Sequence, residues 1–250
     1  FAHISMILGP DKTRLSKRHG ATSVLAYRDM GYLPEAVINY LARLGWSHGD
    51  QEIFSRQEMT QHFSLENITT SAAIFNPEKL QWLNQQYIQS ADPIKLAEQL
   101  EPFLIKEGVL IEQHGLSNKE IAKPIPSLNQ RSQTLIEMAQ KSAFYFKKDL
   151  IFDEKARDKF LTKEIKPCIE KLITVINDMT LFEHDPLESL LKKVAEEAGL
   201  KLGKLAQPVR VALTGSTASP GIYDVILLLG KTTTLKRLKE AVGFIQQNCN

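Results

Sequence analysis

The sequence predicts a mainly α-helical protein that opens on one short strand and a basic loop. Three observations carry that expectation. Cap-plus-proline pairs recur, at Asn76-Pro77, Asp92-Pro93, Asp185-Pro186 and Ser219-Pro220; each joins an N-cap side chain to a residue tolerated in a first helical turn. Behind such starts, apolar residues recur three and four apart, the spacing that lines one face of a helix. Glycines stand where the stripes end, at Gly45, Gly199 and Gly230.

The apolar opening, FAHISMIL (residues 1–8), predicts a buried strand, followed by the basic loop DKTRLSKRHG (11–20). Pro34 suits a first helical position, and Ala36, Val37, Tyr40, Leu41 and Leu44 form the next stripe. Ser55 with Glu58 makes a capping box for a short helix running towards Phe63. Asn76 opens a helix to near Ile88, and Asp92 opens another whose inner face is Leu96, Leu100 and Leu104. Gly, Ser and two prolines break the stretch 108–130, and subdomain joints are expected near 89–93 and 152–159. Asp185 is expected to cap a helix with stripe Leu187, Leu190, Leu191, Val194 and Ala198. Ser219 is expected to cap another, running through Leu229, and Leu235, Leu238, Val242 and Ile245 line the last.

At 250 residues and 43% hydrophobic content the chain can bury substantial cores, in one to three domains. No apolar run approaches the roughly 18 residues of a membrane span, and the opening residues have neither the basic region nor the cleavage site of a signal peptide. Phe1 is not a natural start, so a C-terminal part of a longer protein is expected. The two cysteines, Cys168 and Cys249, stand in no ligand or disulfide spacing, which points to a reduced, cytoplasmic setting without structural zinc. The net charge of +2 is uneven: residues 1–34 carry +3, residues 35–120 carry −6 and residues 121–250 carry +5. Such asymmetry suits a polyanion touching both ends and equally suits solvated helix faces.

Four constellations bear on chemistry. GKTT at 230–233 resembles the end of a phosphate-binding P-loop, but that loop needs a glycine where Val225 stands; a helix stop followed by a threonine cap fits better. The six histidines show no ligand spacing, so no metal site is expected. On the helix after Asn76, Leu80, Leu83 and Tyr87 share the core face, while Lys79, Trp82 and Gln86 share another. An indole beside a cation and an amide suits sugar–phosphate or a flat base, unless a second helix layer covers it. In the opening loop, Ser16 and the cations Lys12, Arg14, Lys17 and Arg18 follow a strand, between Gly9-Pro10 and Gly20. They could grip a triphosphate, with Lys17 a point charge against developing negative charge, or form a plain basic loop.

RLSKR after a strand and GPD resembles the KMSKS-type loop of class I aminoacyl-tRNA synthetases, in the form usual for glutamyl-tRNA synthetases. GWSHGDQEIFS (45–55), FNPEKLQWLNQQYI (75–88) and PVRVALTGSTASPGIYDVILLLGK (208–231) each resemble the bacterial glutamyl-tRNA synthetase pattern, in order. The likeness covers essentially the whole chain. It departs at Lys12-Thr13-Arg14, where family members commonly read Gly-Lys-Lys.

The resemblance implies an enzyme that joins glutamate to its tRNA through a glutamyl-adenylate, using ATP and Mg²⁺. This chain would hold the end of the catalytic domain with its loop (1–20), a stem-contact helical domain (21–90) and two helical anticodon-binding subdomains (91–155 and 156–250). Arg14, Leu15, Ser16, Lys17 and Arg18 would form the ATP loop, with Lys17 the catalytic lysine. Ser47, Lys79 and Trp82 match stem-contact positions; Arg131, Arg210, Ser219, Pro220 and Ile222 match anticodon-reading ones, with Ser219 also capping its helix. The implied partners are glutamate tRNA and, as a further candidate, glutamine tRNA. A cytoplasmic monomer is expected. Lacking the nucleotide-binding domain, the chain alone is expected to bind neither ATP nor Mg²⁺ and not to aminoacylate. The alternative from another class is a non-enzymatic helical RNA-binding adaptor on this scaffold. Glutaminyl relatives usually carry β-barrel anticodon domains, and truncated glutamyl-queuosine enzymes lack anticodon domains altogether, so both fit a helical C-terminal half poorly.

Overall fold

The computed structural model describes residues 4–19 and 23–248; the residues from Phe1 to His3, the expected joint at Gly20, and Cys249 lie outside the described residues. The chain is mainly helical and forms two compact units, residues 1–140 and 141–250. Their joint at 140/141 divides the chain differently from the expected boundaries at 90/91 and 155/156.

In the first unit, β1 (Ile7–Leu8) leads through a 3-10 turn (Lys17–His19) to α1 (Val24–Asp29), α2 (Pro34–Arg43) and α3 (Arg56–His62). A second 3-10 turn (Leu65–Asn67) precedes β2 (Ala73–Ile74), α4 (Pro77–Ser90), α5 (Pro93–Lys106), α6 (Asn118–Ala122) and α7 (Ile125–Leu128). A third 3-10 turn (Asn129–Arg131) then leads to α8 (Leu135–Phe146), which crosses into the second unit. The second unit continues with α9 (Glu154–Phe160), α10 (Lys166–Asp178), α11 (His184–Glu197), α12 (Leu202–Thr214) and α13 (Ile222–Asn248). Among the described residues no helix is long and apolar enough to cross a membrane.

The opening strand is shorter and more open than expected. β1 pairs in parallel with β2 through Ile7↔Ala73 and Leu8↔Ile74 only. Ile4 and Met6 precede the paired residues and their side chains are exposed, Ile4 at 74%, although the Met6 carbonyl accepts the Ala73 N–H at 3.3 Å.

The helix starts follow local chemistry. Asn76 Oδ1 accepts the Lys79 N–H at 3.1 Å, and Asp92 Oδ1 accepts the Ile94 and Lys95 N–H groups at 3.0 Å each; both satisfy first-turn donors that have no intrahelical partner. Ser55 and Glu58 form the expected capping box, at 3.1 and 2.7 Å. A second box, Ser117 with Glu120, starts α6 inside the stretch expected to be broken. Leu96, Leu100 and Leu104 are buried as their spacing requires, whereas Leu41 at the rim of α2 is exposed. α11 begins at His184 after Glu183, so Asp185 is not its cap; Pro186 sits within the first turn, where no N–H is needed. On that helix Ala195 is buried and Ala198 is not.

A single apolar cluster from α9 to α13 forms the core of the second unit. α12 ends at Gly215 (φ 74°), where a side chain would collide with the Ile151 carbonyl oxygen; the Gly215 carbonyl in turn accepts the Asp153 N–H at 2.8 Å. Inside that core lies Arg237, only 2% exposed. Its Nη1 donates to the Leu213 carbonyl and its Nη2 to the Lys147 carbonyl, each at 2.8 Å. These are carbonyls at the C-terminal ends of α12 and α8, which intrahelical bonding leaves unmatched. Burial holds the guanidinium below the ordinary arginine value.

Arg237→Met keeps the aliphatic packing and removes both bonds. Each orphaned carbonyl costs roughly 1–3 kcal/mol, less the relief of no longer burying a cation, so a loss of about 1–4 kcal/mol is expected. Urea denaturation of the whole chain checks it, and an unchanged midpoint contradicts the clamp.

Candidate functional site

The basic loop is a folded object. Asp11 Oδ1 accepts the Thr13 N–H at 3.0 Å and the Thr13 hydroxyl at 2.8 Å. Arg18 Nη2 reaches Asp11 Oδ2 at 3.4 Å and Thr13 Oγ1 at 2.7 Å. Leu15 N–H donates to the Ile7 carbonyl at 3.0 Å, so the loop folds back on β1. Lys12 takes up a left-handed backbone, φ 60°, at the turn. Residues 13–18 border an open concavity of ≈ 690 Å³. Arg14, Lys17 and Arg18 are exposed at its edge, while Leu15 and Ser16 are half-buried. Arg18 is committed to Asp11; Lys17 has no ion pair among the described residues. An exposed ammonium on a fixed turn can meet an anion without first breaking a bond.

On α4, Leu80, Leu83, Asn84 and Ile88 are buried, and Trp82 is 41% exposed, so among the described residues of the first unit no second helix layer covers the indole. Lys79 Nζ pairs with Glu52 Oε2 at 2.9 Å, and Arg43 Nη2 holds the other oxygen of that carboxylate at 3.1 Å. Arg43 Nη1 also reaches the Trp46 carbonyl at 3.5 Å, one residue before the exposed Ser47. Burial pushes the Glu52 carboxyl up, but Lys79 and Arg43 outweigh it and hold it below the ordinary glutamate value. The Lys79–Glu52 pair is half-exposed and worth roughly 0–1 kcal/mol, so a phosphate can displace the carboxylate at little cost. Glu52 thus joins Lys79 to the turn bearing Ser47, a link the sequence did not reveal because its members are distant along the chain.

Arg131 is exposed at the end of its 3-10 turn. In the second unit, Arg210 Nε donates to Ser219 Oγ at 2.8 Å, and Arg210 Nη1 donates to Gln207 Oε1. The Ser219 hydroxyl donates onward to the Pro220 carbonyl at 2.9 Å. Ser219 therefore does not cap the following helix, contrary to expectation. α13 starts at Ile222, with the Gly221 carbonyl accepting the Val225 N–H at 2.9 Å. Pro220 and Ile222 are buried, so they shape the turn, while Arg210 and Ser219 are half-buried.

GKTT is a helical break. Gly230 (φ 73°, ψ 166°) kinks α13, and Lys231 Nζ donates to the Met179 carbonyl at 2.8 Å. Thr234, just beyond the motif, bonds back to the Ile226 carbonyl at 3.4 Å. The histidine spacings did not flag His184, Asp185 and Glu188, whose ligand atoms lie within 4.8 Å of one another on the first turns of α11. Glu188 is already paired with Lys192 at 2.9 Å, and the group sits at the surface.

Two family models match the chain. Residues 1–82 match the catalytic domain of class I tRNA synthetases (E and Q), and residues 95–242 match an anticodon binding domain. The chain is 50% identical over 247 residues to the glutamate–tRNA ligase of Geotalea uraniireducens and 51% identical over 247 residues to that of Syntrophobacter fumaroxidans, covering 99% of the chain and 52% of each relative. A crystal structure of a glutamate tRNA ligase from Elizabethkingia meningosepticum, in complex with its amino acid, is 31% identical with a TM-score of 0.82, over 98% of this chain and 51% of that one. The chain belongs to the glutamyl-tRNA synthetase family, and it spans about half the length of the relatives it matches.

Asp11 is held at about 2 by the Thr13 hydroxyl, then the Thr13 amide, then His19. The folded value lies below the ordinary 3.8, so the turn's bonds are fully present above 3.8 and are lost as pH falls through about 2. Carboxyl ¹³C titration of Asp11 should show that low midpoint, and a midpoint near 3.8 contradicts the turn.

Proposed function

We propose that the chain is the tRNA-recognising part of a glutamate–tRNA ligase, which uses ATP and Mg²⁺ to form glutamyl-adenylate and passes glutamate to its tRNA. The carrying observation is the exposed Trp82 beside Lys79 on α4, in a chain half identical to glutamate–tRNA ligases. An indole face stacks on any base or sugar at roughly 1–3 kcal/mol, and a loosely paired lysine takes a backbone phosphate. Ser47, Lys79 and Trp82 would contact the tRNA stem. Arg131, Arg210 and Ser219 would read the anticodon, with Pro220 and Ile222 setting the turn that presents Ser219. The tRNA would be that for glutamate, with glutamine tRNA a second candidate. The functional segments proposed are 1–20, 21–90, 91–155 and 156–250, in a cytoplasmic monomer.

Arg14, Leu15, Ser16, Lys17 and Arg18 would border the ATP phosphates. The Lys17 ammonium would oppose negative charge gathering on the departing pyrophosphate, an effect worth about 3–4 kcal/mol of transition-state stabilisation. The 250-residue chain alone would not aminoacylate.

Fluorescence anisotropy of the chain with labelled glutamate tRNA, at low and moderate salt, tests the reading. Trp82→Ala should weaken binding by about 1–3 kcal/mol with the salt slope kept, and Lys79→Ala should flatten that slope by about 1. Glutamate tRNA binding no tighter than an unrelated tRNA at either salt concentration would overturn it.

A further inference from the structure

We propose that His19 is the positioning residue of loop 14–18: its neutral ring, protonated on Nε2, holds Ser16 in place, and a proton on Nδ1 releases the loop. This rests on the reading of that loop as nucleotide-contacting, and it adds the device that sets the loop's shape.

His19 is only 9% exposed at its side chain, although Asp11, Thr13, Arg14, Lys17 and Arg18 around it are exposed. The ring lies flat against Gly9, where an added Cβ would stand 2.8 Å from His19 Cδ2, so only glycine leaves it room. The tautomer follows from its partner. The Ser16 N–H, 3.0 Å from Nδ1, can only donate, so Nδ1 is an acceptor and the neutral ring carries its proton on Nε2. Ser16 Oγ lies 3.3 Å from the same nitrogen. Nε2 lies 3.2 Å from Asp11 Oδ1 but off the N–H axis, and the buried atom has no aligned hydrogen bond. The Nδ1 bond to the Ser16 N–H is thus the aligned hydrogen bond that the ring makes, and Nε2 stands beside the Asp11 carboxylate.

The charged groups facing the ring are Asp11 and, on the same carboxylate, Arg18; Gly9 and Ser16 bring none. When a proton enters Nδ1, two N–H groups confront each other at Ser16, and the segment must move. Lys17 adjoins Ser16 and starts the 3-10 turn that ends at His19, so its ammonium moves with it.

Two substitutions separate the nitrogens. Asparagine places its carbonyl where Nδ1 accepts, and glutamine places its polar end where Nε2 stands. In the 250-residue chain, amide exchange at Ser16, corrected for intrinsic pH dependence, is followed by NMR from about pH 8 to 5, where imidazole changes charge. Protection should fall at least tenfold in step with the His19 ring titration. His19→Asn should keep protection at every pH, and His19→Gln should lack it throughout. Protection indifferent to the ring titration, or identical behaviour of the two variants, overturns the proposal. In the longer ligase, ATP–pyrophosphate exchange separates it from the reading beneath: Lys17→Ala without effect sinks the nucleotide assignment even if the NMR result stands. If Lys17→Ala slows exchange but His19→Gln leaves rate and acid limb unchanged, the positioning role falls and the nucleotide assignment survives.

Discussion

Asn84 is buried on α4, and its carboxamide is shared between two other segments of the first unit. Its Oδ1 accepts the Leu33 N–H at the entry to α2, at 2.8 Å, and its Nδ2 donates to the Gln133 carbonyl just before α8, at 2.6 Å. An apolar residue there would leave a buried N–H and a carbonyl without partners, so only one rotation of α4 satisfies the backbone. At 100° per residue, an inward Asn84 turns Trp82 about 160° away and Lys79 about 140° away, onto the outer side. A second tie works alike. Asn39 accepts the Phe54 N–H at 2.7 Å and donates to the Glu52 carbonyl at 2.9 Å, while the Tyr87 hydroxyl donates to the Phe54 carbonyl at 2.6 Å. Two buried carboxamides therefore determine which side chains the surface of α4 can offer.

Carboxylates order the cations of α4 and of the basic loop. Glu52 spaces Lys79 and Arg43, and Asp11 gathers Arg18 and the Thr13 turn. The Lys79–Glu52 and Arg18–Asp11 pairs are exposed enough to exchange partners at low cost, whereas Arg43, at 16% exposure, stays behind as the anchor of Glu52. Arg237 in the second unit is the opposite case: a cation enclosed in the core, bonded to two carbonyls, serving the fold alone.

Most of the fold was legible because capping is local chemistry. Asn76, Asp92 and Ser55 start helices where their sequence neighbours say they should. The exceptions have physical reasons. Ser219 reads as a cap from its neighbour Pro220, but its hydroxyl is taken by Arg210, nine positions earlier and one helix back. Asp185 precedes a proline, yet that proline fits inside the first turn of α11. The outward face of α4 followed from periodicity, and Trp82 is exposed accordingly. Glu52, Asp11 and His19 were not singled out, because an acid or an imidazole beside a basic run has no spacing signature; only folding brings them to their cations and amides.

The most direct test is of the proposal that Trp82 is where α4 meets RNA. Trp46 is buried at 2% exposure, so Trp46→Phe leaves Trp82 as the sole indole. Acrylamide quenching of that variant, measured with and without saturating glutamate tRNA, should drop severalfold on binding as a base or sugar covers the ring. Quenching unchanged at saturation would mean that the tRNA docks elsewhere and that the orientation set by Asn84 serves packing alone.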